Sequence, residues 1–129
     1  MKFSDYHINE DIKYNLEKLG FKKPTDIQFK SIPPILRGED VLAIAQTGTG
    51  KTAAFAIPII HKIHQEKASK RTDFIRCIVM VPTHELALQV NEVFESIAEK
   101  TRVKTLCIFG GVEQDAQIKA LYKGVDVVI

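Results

Sequence analysis

Residues 45 to 52 read Ala-Gln-Thr-Gly-Thr-Gly-Lys-Thr and bring together the groups needed to hold a polyphosphate. Gly48 and Gly50 allow backbone conformations closed to other residues, so successive N–H groups along Gln46, Thr47, Gly48, Thr49 and Gly50 can turn inward around phosphate oxygens. Lys51 adds a positive charge for the outer phosphates, and the Thr52 hydroxyl is a hard oxygen donor suited to Mg²⁺. The strict phosphate-loop pattern has glycine where this chain has Ala45, a difference of one methyl group. A glycine-rich turn that merely contains a lysine would have a similar composition. What separates the two is context, because a phosphate loop follows a strand and opens a helix.

The surrounding pattern supplies that context. Val41 to Ala45 is a continuous apolar run, the mark of a strand buried on both faces. A helix is expected from about Gly50 to His64, bent where Pro58 removes a backbone donor. Ile75 to Val81, Thr105 to Phe109 and Val125 to Ile129 read as three further buried strands. Thr83 can cap a helix whose apolar positions Leu86, Val90, Val93, Phe94 and Ile97 form one stripe, and Glu113 to Lys123 reads as a helix stopped by Gly124. Upstream, residues 8 to 20 suit a helix capped by Asn9 and ended by Gly20. A second short helix starts at Thr25 and is broken or closed by Pro33, Pro34 and Gly38. Strands alternating with helices imply an α/β fold, a parallel sheet with helices on both faces.

Composition sets the outer bounds. The chain has 129 residues, 45% hydrophobic and 26% charged, with 18 Lys+Arg against 16 Asp+Glu for a net charge of +2. This suits one soluble domain and leaves little room for two. Near-balanced charge means that any nucleic-acid affinity comes from a local patch rather than from net charge. Cys77 and Cys107 lie in apolar runs and are expected to be reduced core residues. His61 and His64 share a helix face but have no third ligand nearby, so a solvated pair is expected rather than a metal site. Lys67, Lys70 and Arg71 read as a solvated charged connection. The first twenty residues carry charges throughout and the apolar run Ala53 to Ile60 is too short to span a bilayer, so no membrane contact and a cytoplasmic location are expected.

Just upstream of the loop lies Gly20-Phe21-Lys22-Lys23-Pro24-Thr25-Asp26-Ile27-Gln28, with Phe3 separate in the N-terminal tail. Thr25 and Gln28 have capping-box spacing, and Phe21 could simply staple the helix. An amide also offers a donor and an acceptor side by side. This segment resembles the Q motif of DEAD-box ATP-dependent RNA helicases. The resemblance implies that Gln28 reads adenine, Phe21 packs near the ring and Phe3 supports the segment. The phosphate loop resembles the family's motif I, in which Ala45 is the usual residue. Pro82-Thr83-His84-Glu85-Leu86-Ala87-Leu88-Gln89 resembles motif Ia, and Gly110-Gly111 resembles the paired glycines. Both imply contact with the RNA sugar-phosphate backbone through Pro82, Thr83, His84, Gly110 and Gly111. A capped helix start and small residues suit that task, although Thr83 can equally be a cap and the glycines a turn. The family usually has arginine where this chain has His84. Histidine is shorter and mostly neutral at pH 7, so its phosphate contact is expected to be weaker and more sensitive to pH.

The resemblance covers nearly the whole chain and implies an incomplete N-terminal RecA-like lobe. Residues 1–38 would form the Q-motif region and residues 39–129 the phosphate-loop core. In relatives the Asp-Glu-Ala-Asp carboxylates and the second RecA-like lobe lie beyond this point. Strands that flank the phosphate-loop strand are expected there too, which would leave an unpaired edge here. The chain is therefore expected to bind ATP or ADP with Mg²⁺ weakly, at a Kd of about 0.1 to 1 mM, and not to hydrolyse it, although Lys51 belongs to the catalytic set of the intact enzyme. A different phosphate-loop enzyme, such as a kinase or GTPase, and a non-catalytic RNA- or protein-binding module are the alternatives.

Overall fold

The computed structural model describes residues 1–46, 50–69, 74–111 and 113–129. After a 3-10 turn at Phe3–Asp5 the chain forms α1 (Glu10–Lys18), α2 (Asp26–Leu36), α3 (Lys51–Ser69) and β1 (Cys77–Ile78). It continues through α4 (His84–Ala98), β2 (Thr105–Leu106), α5 (Gln114–Tyr122) and β3 (Val127–Val128). The strands are parallel in the order β1-β3-β2, with Cys77 and Thr105 both paired to Val127. A helix intervenes between successive strands, as parallel pairing requires.

Local signals account for most element ends. Asn9 Oδ1 accepts from the Asp11 N–H at 2.8 Å, and Thr83 Oγ1 accepts from the Leu86 N–H at 3.1 Å. Gly20 and Gly124 take the left-handed conformation that closes α1 and α5. Two helices run further than their sequence suggests. Pro33 and Pro34 lie inside the last turn of α2, because their carbonyls still accept from Arg37 and Glu39 N–H groups at 3.1 and 3.0 Å and only donors are lost. Helix α3 continues past His64 to Ser69 and carries Lys67 with it. Lys67 is therefore not in a solvated connection: its Nζ lies 2.9 Å from a carboxylate oxygen of Asp126. Lys70 and Arg71 lie outside the described residues.

The strands are shorter than expected, and residues 41–45 do not form one. Leu42 is 91% exposed and Ile44 88% exposed. An apolar run becomes a strand only beside a neighbour that completes its ladder. Among the described residues β1 pairs with β3 alone, and nothing pairs with 41–45. On β1 and in the chain that continues β1 and β2, Cys77, Val79, Val81, Cys107 and Phe109 pack against the core, whereas Ile78 and Met80 are exposed. Both cysteines are free, and burial pushes both thiols up; the nearby Glu95 charge adds to the rise at Cys107.

The core is one cluster joining α1 to α4, with Ile12, Leu16, Ile32, Ile57, Ile60, Phe94 and Ile97 fully buried. Asn15 fastens α1 to the end of α4: its Nδ2 donates to the carbonyls of Ile97 and Glu99 at 2.8 and 2.7 Å, two groups that the helix itself leaves open. At the entry to the sheet stands Asp126, also buried. Its carboxylate accepts from Arg76 Nη1 at 2.8 Å, Lys67 Nζ at 2.9 Å and the Lys104 N–H at 2.8 Å. Its backbone carbonyl accepts from the N–H groups of Arg76 and Cys77. A single residue thus ties α3 to the starts of all three strands, with its buried charge paired on several sides.

His61 and His64 are not a solvated pair. His61 is buried and its Nδ1 accepts from the Asn9 N–H at 3.0 Å, while His64 Nδ1 accepts from the Arg102 N–H at 3.1 Å. An imidazole nitrogen accepts only without its proton. Burial, aided by the nearby His64, lowers the His61 pKa. The unfolded chain therefore takes up the proton first. Stability from neutral His61 is complete above the ordinary histidine value of about 6.5 and is lost as pH falls through the lowered folded value. Thermal melts between about pH 7 and 5 should show a steeper fall in Tm for the unsubstituted chain than for His61→Asn, whose Oδ1 stands where Nδ1 does and accepts the same bond without titrating. Equal slopes would contradict this account.

Candidate nucleotide and nucleic-acid site

Gly50 stands at the start of α3 with φ 81° and accepts, on its carbonyl, from the Ala54 N–H and from Gln28 Nε2, each at 3.1 Å. Lys51 and Thr52 follow as the first residues of the helix, where backbone N–H groups lack helical partners and carry the positive end of the dipole. Such a terminus favours anions. Lys51 is exposed and lines a cleft of about 320 Å³ together with Ile27, Ser31, Ala43 and Phe55. Thr52 is half-buried and Gln46 exposed. The expected loop residues Thr47, Gly48 and Thr49 lie outside the described residues.

The upstream segment meets the loop through Gln28. Its side chain is fully buried; Oε1 accepts from the Thr25 N–H at 2.9 Å while Nε2 donates to Gly50. The capping role is therefore real, and the same amide also reaches the loop twenty-two residues on. An amide retains one more proton and one more lone pair after these two bonds. Phe3 is buried and meets Phe21 edge-on, with ring centroids 6.1 Å apart at 86°. The Phe3 N–H also donates to the Lys22 carbonyl at 3.3 Å, so the tail supports the segment that presents Phe21. Beside these rings is a cleft of about 590 Å³ rimmed by Lys2, Lys13, Lys22 and Lys23. Lys2, beside the 3-10 turn, and Lys13, on α1, carry no sequence signal for this cleft, because only folding brings the two together.

A third groove, of about 280 Å³, lies beyond the carboxyl ends of the strands, the usual place for function in open α/β sheets. Pro82, Thr83, His84 and Gly110 all line it. Gly111 follows immediately, with φ 75°. His84 is exposed, and its ring lies 4.9 Å from that of Phe109 at an angle of 51°. Pro82, Thr83, His84 and Gly110, well separated in the chain, are thus brought to one surface, while Gly111 lines the neighbouring groove.

The family model described as DEAD/DEAH box helicase matches residues 25–129. The chain belongs to this family. It is 39% identical over 128 residues to the ATP-dependent RNA helicase CshA of Listeria monocytogenes, covering 99% of this chain and 24% of that protein. It is 41% identical over 127 residues to the DEAD-box ATP-dependent RNA helicase CshA of Bacillus subtilis, covering 98% of this chain and 25% of that one. The chain thus spans about a quarter of the length of these curated relatives. Among solved structures, a DEAD box protein from Methanococcus jannaschii superposes with a TM-score of 0.89 at 39% identity, over 100% of this chain and 34% of that chain. A hypothetical ATP-dependent RNA helicase from Sulfolobus tokodaii gives 0.79 at 35% identity, over 94% of this chain and 33% of its own. The fold is accordingly the α/β, RecA-like fold of DEAD-box helicases, with the parallel sheet that the alternating pattern implied.

The Gly50 geometry makes a direct prediction for this DEAD-box chain. A Cβ at Gly50 would collide with Gln28 Nε2, and the left-handed backbone disfavours any other residue. Gly50→Ala should lower stability by about 1–3 kcal/mol in a urea titration, with the denaturant slope unchanged. A midpoint equal to that of the unsubstituted chain would show that the close approach does not constrain the loop.

Proposed function

We propose that this chain is the ATP-binding part of an RNA helicase, belonging to an N-terminal lobe whose parent couples ATP binding and hydrolysis to RNA strand separation. The observation that carries the reading is the bond from Gln28 to Gly50, which joins the base-reading motif to the phosphate loop. In this reading Gln28 selects adenine with its remaining donor and acceptor once the nucleotide uncovers it, Phe21 packs near the ring and Phe3 supports it. Lys51 and the N–H groups of residues 46–50 hold the phosphates. Thr52 would contribute a hydroxyl oxygen to Mg²⁺, whose preference for hard oxygen ligands the threonine meets. The bound metal supplies charge neutralisation of the phosphates.

Pro82, Thr83, His84, Gly110 and Gly111 hold the backbone of a single RNA strand without reading its sequence. The second RecA-like lobe of a longer parent would complete the clamp. Residues 1–38 and 39–129 then act as the adenine-selecting region and the phosphate-loop core. A cytoplasmic location accords with the RNA substrates named for the relatives. Among the described residues no helix is long and apolar enough to cross a membrane.

Phosphoryl transfer depends on positioning and charge stabilisation by groups additional to a phosphate loop. Titration calorimetry with ADP and Mg²⁺ should give a Kd of about 0.1–1 mM for the chain and at least about tenfold weaker binding for Lys51→Ala, with no phosphate released from ATP. Equal ADP affinity in the two proteins, or RNA-stimulated phosphate release above the Lys51→Ala level, would overturn the reading.

A further inference from the structure

Helix α5 contributes no buried residue. Its directional tie to the sheet is Gln117, whose Oε1 accepts from the Phe109 N–H at 2.8 Å and whose Nε2 donates to the Phe109 carbonyl at 3.3 Å. The location of this pair explains its form. The Ile129 N–H donates to the Leu106 carbonyl and the Ile108 N–H donates to the Ile129 carbonyl, both at 2.9 Å. Leu106 and Ile108 therefore face β3. Along an extended chain alternate residues direct their backbone groups to opposite sides, so those of Phe109 face the open edge of β2. The amide of Gln117 satisfies both, as one residue of a neighbouring strand would.

We propose that Gln117 is a positioning residue for the RNA groove, fixing the chain where β2 passes into Gly110 and Gly111. Phe109 links Gln117 to the groove. Its ring lies against His84, and the glycines that follow it line the grooves on either side. With both backbone groups of Phe109 clamped, the peptide leading into Gly110 has a set direction, and the glycine N–H groups need not be ordered by the RNA itself. Preorganised donors bind more tightly because that ordering cost has already been met in folding. Gln117 acts through Phe109 and touches no nucleic acid. The proposal rests on the reading of Thr83, His84, Gly110 and Gly111 as an RNA-backbone site.

The test uses Gln117→Met, which keeps the length of the side chain and removes both bonds, beside Gln114→Met, one turn earlier and exposed. A single-stranded oligouridylate is titrated against each protein by nuclear magnetic resonance, ADP affinity is measured in parallel, and amide exchange is followed at Phe109, Gly110 and Gly111. Gln117→Met should weaken oligouridylate binding about three- to tenfold and speed exchange at the Phe109 amide, whose bond to Gln117 it removes, by a similar factor. ADP affinity should not change, and Gln114→Met should match the unsubstituted chain. A merely structural role would lower ADP and RNA binding together, and that result, or unchanged RNA binding, overturns the proposal. Thr83→Ala separates the two layers of inference. If it weakens RNA binding while Gln117→Met does not, only the role of Gln117 falls. If the unsubstituted chain shows no RNA-dependent shifts around Thr83 and Gly110, the RNA groove falls and the proposal falls with it.

Discussion

The carbonyl of Gly50 accepts from two directions, from Ala54 within its own helix and from Gln28 in a segment that precedes the loop. The first bond starts α3, and the second fixes where the upstream segment lies against it. This double use requires a residue with no side chain and a positive φ, because a Cβ would occupy the space of the Gln28 amide. The start of α3 and the glutamine that caps α2 are thus a single unit. Lys51, Thr52, Phe21 and Phe3 take their places from it: two through the first turn of α3, two through the segment that Gln28 terminates.

At the opposite end of the sheet Asp126 performs a complementary task. Its carboxylate and backbone collect Lys67 of α3, the chain entering β1 and the chain entering β2. The strands are therefore registered where they begin, and the residues beyond their carboxyl ends have no part in that registration. Thr83, His84 and Gly110 meet there because three parallel strands bring their ends to the same side. The buried His61 and Asn15 fasten the N-terminal segment to this frame, one at α3 and the other at the end of α4.

Much of this frame could be read from local chemistry. Asn9, Thr83, Gly20 and Gly124 mark helix ends that the folded chain confirms, and alternating strands and helices imply the parallel sheet. What escaped depends on distant partners. Val41 to Ala45 has the composition of a buried strand, yet no described neighbour offers it a ladder, and composition cannot supply one. Asp126 and Lys67 look like ordinary surface charges until folding places them 2.9 Å apart. His61 looked like half of a solvated pair because its partner, a backbone N–H of Asn9, has no side-chain signature. In the site, Thr25 and Gln28 supported a capping and a base-reading interpretation equally by spacing. The structure adds the third fact, that the amide donates to the Gly50 carbonyl at the start of α3.

That contact makes base selection the sharpest point of the account. The decisive measurement compares ADP and GDP affinity for the unsubstituted chain and for Gln28→Ala by titration calorimetry, each protein first shown to be folded. A donor and acceptor matched to adenine should favour ADP over GDP by about tenfold or more, and Gln28→Ala should abolish the preference. Equal binding of the two nucleotides by the unsubstituted chain, or an undiminished preference in Gln28→Ala, would contradict the assignment of this chain as an adenine-selecting helicase lobe.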